Sequence, residues 1–431
     1  MKKVVLRRCE RPDVHLVRRV IREGMEELGA KPRGKILVKP NVVTANRRYI
    51  RHSYTDPAVV EALVRELLET APARNITIGE SGGFGVPPGL FLRESGYCEL
   101  GRRLGVRVSD FNHEPARWVK LERGVCHSGV RAARSLLEAD YRVWAPKLKY
   151  HICCQITNAL KLNVGILTHR DRMRYHDDRL NDKIVDLLEI GMPDLVITDA
   201  IVIGHGYESA PEGFQLGLIM VADDPLAADA AAAAILGYRP EEVEHLRLAS
   251  ERGYGAISLD DVEITGDVTI AELREKTAGI VSDYQDIHRL ETPLRFYCGN
   301  EPERDRFCYG GCLAAVKGCL GTTDRRRPGA VRNARPGAIV TGVYRGDVRH
   351  PGQTVLLVGN CTKVEGVLTA GRVRRLRGCP IGTARLLFDL PRAFGMPSPA
   401  LDARDILLFI AFTLRHLMKM IGLRFKTPAA L

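Results

Sequence analysis

An α/β fold, with a mainly parallel sheet covered by helices on both faces, is predicted by three features. Strand-like and helix-like segments alternate through the first 260 residues. The strand-like runs are continuously apolar rather than alternating, and several end in polar residues. The run "GKILVKPN" (34–41) reads as a strand. "DPAVVEALVRELLE" (56–69) follows as a helix, with Asp56 at the N-cap and Pro57 at its first position. "NITIGES" (75–81) is the next strand, closed by a Gly/Pro-rich turn, and 88–105 reads as one helix. "VRVSDF", "DYRVWAPKL", "DLVITDAIVIG" and "LGLIMVADDP" are further strands. "ARSLLEA", "NDKIVDLLEIG" and "LAADAAAAAILG" are helices.

The 431 residues exceed the usual single-domain range. We divide them into an α/β domain (1–260), a smaller cysteine-rich α/β segment (261–398) and a C-terminal apolar and basic helix (399–431). The middle segment opens with a strand and helix (260–276) and holds another strand, "QTVLLVGNC" (353–361). No internal repeat of solenoid period stands out. The hydrophobic fraction of 45% and charged fraction of 27% are those of a globular protein. The N-terminus has too short an apolar run for a signal peptide, so a cytoplasmic location with reduced thiols is expected.

The net charge of +12 admits an anionic partner. Its arginine clusters (324–337 and 371–379) lack interleaved aromatic residues. A solvated surface is therefore favoured over nucleic-acid binding, which stays the third reading.

Six of the eleven cysteines, Cys298, Cys308, Cys312, Cys319, Cys361 and Cys379, fall within 298–379, where even spacing would put about two. In "CYGGC" two glycines leave the backbone free to fold around a metal. Cys308, Cys312, Cys361 and Cys379 are the preferred ligands, with Cys298 and Cys319 in reserve. An iron–sulfur cluster, 4Fe–4S first, is set ahead of structural zinc, because the cysteines are dispersed rather than in two tidy pairs. Cys153 and Cys154 read mainly as core residues.

A second constellation lies at predicted strand ends, where α/β sheets gather their chemistry. Lys39 and Asn41 follow one strand, Glu80 and Ser81 another, and Lys147, Lys149 and His151 a third. Asp199, and Asp223 with Asp224, follow two more. Lys161, Asn163 and His176 come from the neighbouring loops. In this reading His151 or Glu80 moves protons, and Lys147 and Asp199 complete the catalytic group. Lys39, Asn41, Lys149, Lys161, Asn163 and His176 bind a small anionic substrate. The glycine-rich "ESGGFGVPPG" (80–89) matches neither a Walker loop nor GxGxxG.

The succession "VKPN", "TDPAVVEALV", "GES", "ADYRVWAPKLKYH", "ITNALKLNVG", "DLVITDAIVIGHG" and "ADDPLAADAAAA" resembles the DUF362 family over roughly residues 1–240. That resemblance implies an iron–sulfur protein, since many members carry a ferredoxin-like extension. The compact Cys-x2-Cys-x2-Cys-x3-Cys-Pro run of such an extension is missing here, so the cluster assignment rests on the local cysteines. The family domain also looks similar, at the level of fold, to the catalytic half of the nickel-pincer racemases.

The expected function is an iron–sulfur metalloenzyme of oxidoreductase type. The alternative is a non-catalytic iron–sulfur or zinc protein that transfers electrons to, or docks on, a partner. The C-terminal helix is expected to pack on its own sheet domain or on a second copy in a homodimer. Peripheral contact with a membrane is its other use.

Overall fold

The computed structural model describes residues 1–70, 75–83, 88–280, 286–379, 381–399 and 403–426. The first unit is built on β1 (Lys2–Arg8), β2 (Lys35–Pro40), β3 (Asn75–Glu80) and β4 (Arg107–Asp110), and a hairpin of β5 (Ala116–Lys120) and β6 (Gly129–Ala133). It continues with β7 (Tyr141–Ala145), β8 (Lys147–His151), β9 (Gln155–Thr157), β10 (Leu195–His205), β11 (Glu212–Ala222) and β12 (Val262–Gly266). The large sheet runs β12-β1-β11-β10-β7-β2-β3-β4, with β8 added beside β10 and β9 beside β8. Along its main path every pairing is parallel except the two made by β11.

Continuously apolar strands bury both faces, as the sequence reading expects. In β1, Val5 packs with the helices Val14–Glu27 and Pro57–Thr70, while Val4 and Leu6 pack with Pro225–Leu236 on the other side. That last helix is all but wholly buried, which explains its run of alanines: small side chains let it lie close to the sheet.

Local readings differ in four places. The single helix expected over 88–105 is two, Pro88–Glu94 and Tyr97–Leu104, because Gly96 adopts φ 86° between them. "DYRVWAPKL" bends at Pro146, giving β7 and β8, both of which pair with β10. The N-terminal strand β1 and the helix after it have no counterpart in the sequence reading. β12 and the helix Ile270–Thr277 pack with the large sheet, which therefore extends past residue 260.

The second unit contains β13 (Leu294–Cys298), β14 (Asn300–Glu301), β15 (Arg306–Phe307), β16 (Gly337–Tyr344), β17 (Val348–Val364) and β18 (Leu368–Leu376). β16, β17 and β18 lie parallel with no helix between them. Gly337 faces Thr354 and Val348 faces Leu368, so the chain returns to register after 17 to 20 residues, as in a solenoid coil. This corrects the reading of no solenoid period. The periodic signal is in stacked glycines: a Cβ on Gly366 would lie 2.4 Å from the Gly346 carbonyl oxygen, and one on Gly371 would lie 2.6 Å from Gly352. The helices Ala314–Arg326 and Thr383–Ala393 cover one side of the coil through Ile339, Leu356 and Val358.

Candidate metal centre and adjoining cleft

The residues expected at strand ends form separate groups. Lys39, at the end of β2, and Glu80, at the end of β3, make a fully buried ion pair. Glu80 also accepts from the backbone N–H of Ser81 (2.9 Å) and Gly82 (3.1 Å). Burial raises the Glu80 carboxyl and lowers the Lys39 ammonium from their ordinary values. Gly165 presses on this pair, since a Cβ there would lie 2.4 Å from Glu80 Oε1. Asn41 is buried next to it, and its backbone N–H donates to Thr55 Oγ1 at 2.9 Å.

Lys147 and Asp199 form a second buried pair at 2.8 Å, and Asp199 accepts from the Asp56 backbone N–H at 2.8 Å. These two border a groove of about 680 Å³ shared with His52 and Asp56. Asp199 lies within β10 rather than at its end. Asp223 and Asp224 follow the antiparallel β11, so they sit at the opposite edge of the sheet. Asp223 accepts from Lys3 N–H, and Asp224 caps the helix Pro225–Leu236. Asn163 is fully buried, and its Oδ1 accepts from the Trp144 indole at 2.8 Å, which ties it to packing.

The described part of "ESGGFGVPPG" does not form an anion cradle. Its carbonyls at Ser81 and Gly83 accept from buried Arg172 at 2.8 and 2.9 Å; 84–87 lie outside the described residues.

The third group faces the second unit. Lys149 donates to the Ser53 carbonyl (2.9 Å), and burial followed by the nearby Lys161 and Lys147 charges pushes it down to about 7, against the pull of Glu208. His151 Nδ1 accepts from the backbone N–H of Cys153 (3.0 Å) and Cys154 (3.2 Å). Burial, then Lys161, Lys149 and His176, hold its ring neutral, well below the usual histidine range. Burial raises the Glu208 carboxyl. Half-buried Lys161 is felt by all of these groups, yet it has no hydrogen-bond or ion-pair partner among the described residues.

His176 links this group to the cysteines through a 2.6 Å contact between its Nδ1 and the Gly310 carbonyl. Gly310 and Gly311 separate Cys308 from Cys312, and both must be small. A Cβ on Gly310 would lie 2.3 Å from the Asp177 carbonyl oxygen, and one on Gly311 2.7 Å from Cys308 Sγ. The loop is pinned to the first unit by Tyr309, whose hydroxyl donates to Glu244 (3.0 Å) and accepts from Asn181 (2.6 Å). Cys153 Sγ lies 3.4 Å from the Tyr309 carbonyl oxygen.

Cys308, Cys312, Cys361 and Cys379 lie close enough at this junction to influence one another, with Cys312 central among them. Burial pushes Cys308 up to about 12, with Cys312 adding to the effect. Burial does the same to Cys312, where Cys361 and Cys379 add. Cys361 and Cys379 also interact with each other, because the Asn360 N–H to Gly378 carbonyl bond (3.0 Å) joins adjacent turns of the coil. Cys312 Sγ lies against Gly359, where a Cβ would be 2.8 Å away. Burial, then the Asp177 charge, raise the Cys379 thiol, and Arg179 and Arg304, held by Asp177 and Asp178, offset only part of that. Cys298 lies apart, near Thr341, and buried Cys319 packs against the Leu386 carbonyl. Among the described residues, no three His, Cys, Asp or Glu side chains are closed around a single-ion site.

A cavity of about 240 Å³ opens from Gly310, Gly311, His176 and Glu208 between apolar walls that include Phe91, Leu408 and Phe409. Sequence reading missed Glu208, Arg172 and Tyr309. Glu208, four residues past the "VIG" of β10, is the one a strand-end argument can reach.

Fold and site together define an α/β domain joined to a short cysteine-bearing parallel coil. Residues 36–234 match the family described as Domain of unknown function (DUF362), the family that the sequence motifs resemble. A thylakoid-associated protein of Synechocystis sp. is 27% identical over 237 residues, covering 52% of this chain and 71% of that protein. The lactate racemase apoprotein of Thermoanaerobacterium thermosaccharolyticum overlaps 78% of this chain and 68% of its own, at 11% identity and a TM-score of 0.35. That likeness is too loose to bear on activity.

Proposed function

We propose that this protein is an iron–sulfur metalloprotein of oxidoreductase type, acting on a small anionic substrate held at Lys161. The observation that carries the reading is the mutual influence of four thiols from three chain segments, joined through the His176–Gly310 contact to a group around Lys161, which has no partner among the described residues. Thiols held up by burial and by one another would be released from that repulsion by a bound metal group. Cys308, Cys312, Cys361 and Cys379 would hold the group, which would supply one-electron chemistry there. We set a cluster ahead of zinc because the cysteines are dispersed along the chain rather than in two tidy pairs.

The chain's own residues do the rest. Lys161 and Lys149 attract the anion, while Lys39 and Lys147 are already matched by carboxylates. Neutral His176 and Glu208, whose burial favours its protonated form, border the cavity and can exchange protons with a ligand. Arg179, Arg304 and Arg306 line a surface hollow of about 530 Å³ on the side of Cys379, a docking place for an acidic electron-transfer protein.

The test is anaerobic: dithionite is added to the purified protein, and the visible spectrum is followed while small carboxylates are titrated in. The reading expects bleaching on reduction and a ligand-dependent change that Lys161→Met abolishes. Bleaching with no response to any carboxylate would leave a simple electron carrier. A colourless zinc protein would overturn the redox reading.

A further inference from the structure

The C-terminal helix Ala403–Lys426 is fixed to both units by one side only. Asp405 accepts from the Tyr49 hydroxyl (3.0 Å) and from Arg326 (2.7 Å). Phe412 lies beneath Arg93, 5.9 Å from the ring centre, and the His416 and His113 rings meet at 2.7 Å. These contacts set the helix's rotation. The opposite side then carries Leu407, Ile410, Leu414, Leu417, Met418 and Ile421, each between 48% and 74% exposed. Steps of three and four residues place them on one continuous stripe. The packing on the sheet domain expected from sequence therefore accounts for half of the helix and leaves its more apolar half uncovered.

The charges beside the stripe have one sign. From Ile406 to Lys426 the helix contains no Asp or Glu, and Arg415 and Lys419 are exposed. Around Cys98, Arg93 and Arg102 approach Arg415 with Glu99, itself paired with Arg47, among them, so the band that continues onto the neighbouring helices is basic on balance. No helix among the described residues is long and apolar enough to cross a membrane.

We propose that this face binds an anionic lipid bilayer, with the helix lying in the interfacial plane. An apolar stripe bordered by cations is the pattern such a surface recognises, since acyl chains take the leucines and headgroup phosphates take the arginines and lysines. A second copy of the same helix is a poorer occupant, because paired stripes would bring two basic flanks together with no acidic residues to match them. At 24 residues, or about 36 Å at 1.5 Å per residue, the helix is long enough to rest its whole stripe on the surface. Its inner side, through Leu408 and Phe409, walls the cavity beside His176 and Glu208.

The experiment is flotation of the full-length protein with vesicles of phosphatidylcholine alone or of phosphatidylcholine and phosphatidylglycerol in equal parts. Binding is expected for the mixed vesicles and should weaken as salt rises. The double variant Leu414→Glu/Leu417→Glu should lose at least roughly tenfold in affinity, since two exposed leucines no longer enter the acyl region. Arg415→Gln/Lys419→Gln should lose several-fold. Both pairs are exposed, so unchanged circular dichroism and melting are required of the variants. Three results would overturn the proposal: no flotation with mixed vesicles, flotation that survives Leu414→Glu/Leu417→Glu, or a concentration-dependent dimer that the leucine variant disperses while wild type ignores lipid. The last would assign the face to self-association.

Discussion

Two lysines expected to bind the same anion carry different burdens. Lys39 is sealed against Glu80, so Lys39→Met leaves a buried carboxylate without its partner and should lower stability by about 3–5 kcal/mol. Lys161 has no such partner among the described residues. Lys161→Met should change stability by less than about 0.5 kcal/mol while removing most anion affinity. Chemical denaturation and ligand titration of both variants check the contrast, and equal destabilisation would show that Lys161 is structural. Histidines set the acid limit. Burial, followed by nearby lysine charge, pushes both His52 and His127 down to about 4. The unfolded chain takes up protons at these rings from about pH 6.5, whereas the folded chain does so only near pH 4. Stability should therefore fall as pH drops through that window. His127→Phe keeps the edge contact with the Tyr175 ring and should flatten part of the slope in denaturation midpoints measured from pH 7 to 4. An unchanged slope would remove His127 from the account.

At the scale of elements, the parallel coil positions the thiols. Cys361 follows one turn and Cys379 the next, and the turns close only because glycine stacks on glycine. Gly366→Ala sets a Cβ against the Gly346 carbonyl and should cost about 1–3 kcal/mol, with earlier loss of structure in the second unit than in the first. Hydrogen exchange resolved by segment would show it; uniform destabilisation would contradict it. This element marks the limit of what the sequence reveals. The large sheet was legible because buried parallel strands are apolar throughout and because Asp56, Asp224 and Gly237 mark helix ends. The coil was legible only in 353–361, because its period is written in turn glycines. β18 reads "LTAGRVRRL", where three arginines and a threonine interrupt the apolar residues, and gives little strand signal. Strand direction was equally hidden: β11 looks like its neighbours, yet it runs the other way and carries Asp223 and Asp224 off the cleft. The expected single ring of cleft residues fails for a similar reason. Side chains at successive strand ends reach different neighbours, so Lys39 finds Glu80, Lys147 finds Asp199, and Lys149, His151 and Lys161 group together, reaching the cysteine loop through His176.

For the whole molecule, two units of different construction meet at one junction. The α/β unit supplies Lys149, Lys161, His176 and Glu208, and the coil and its Gly-Gly loop supply the sulfurs. The central claim is that this junction holds a metal group. Iron, sulfide and zinc counted per chain in protein purified without oxygen, from wild type and from the Cys312→Ala variant, test it most directly. Cys312 is the choice because its thiol interacts with Cys308, Cys361 and Cys379 alike. The account predicts iron and sulfide in near-equal amounts in wild type, strongly reduced in the variant, with the first unit still folded. Wild-type protein holding neither iron nor zinc, or iron retained in full by Cys312→Ala, would contradict it.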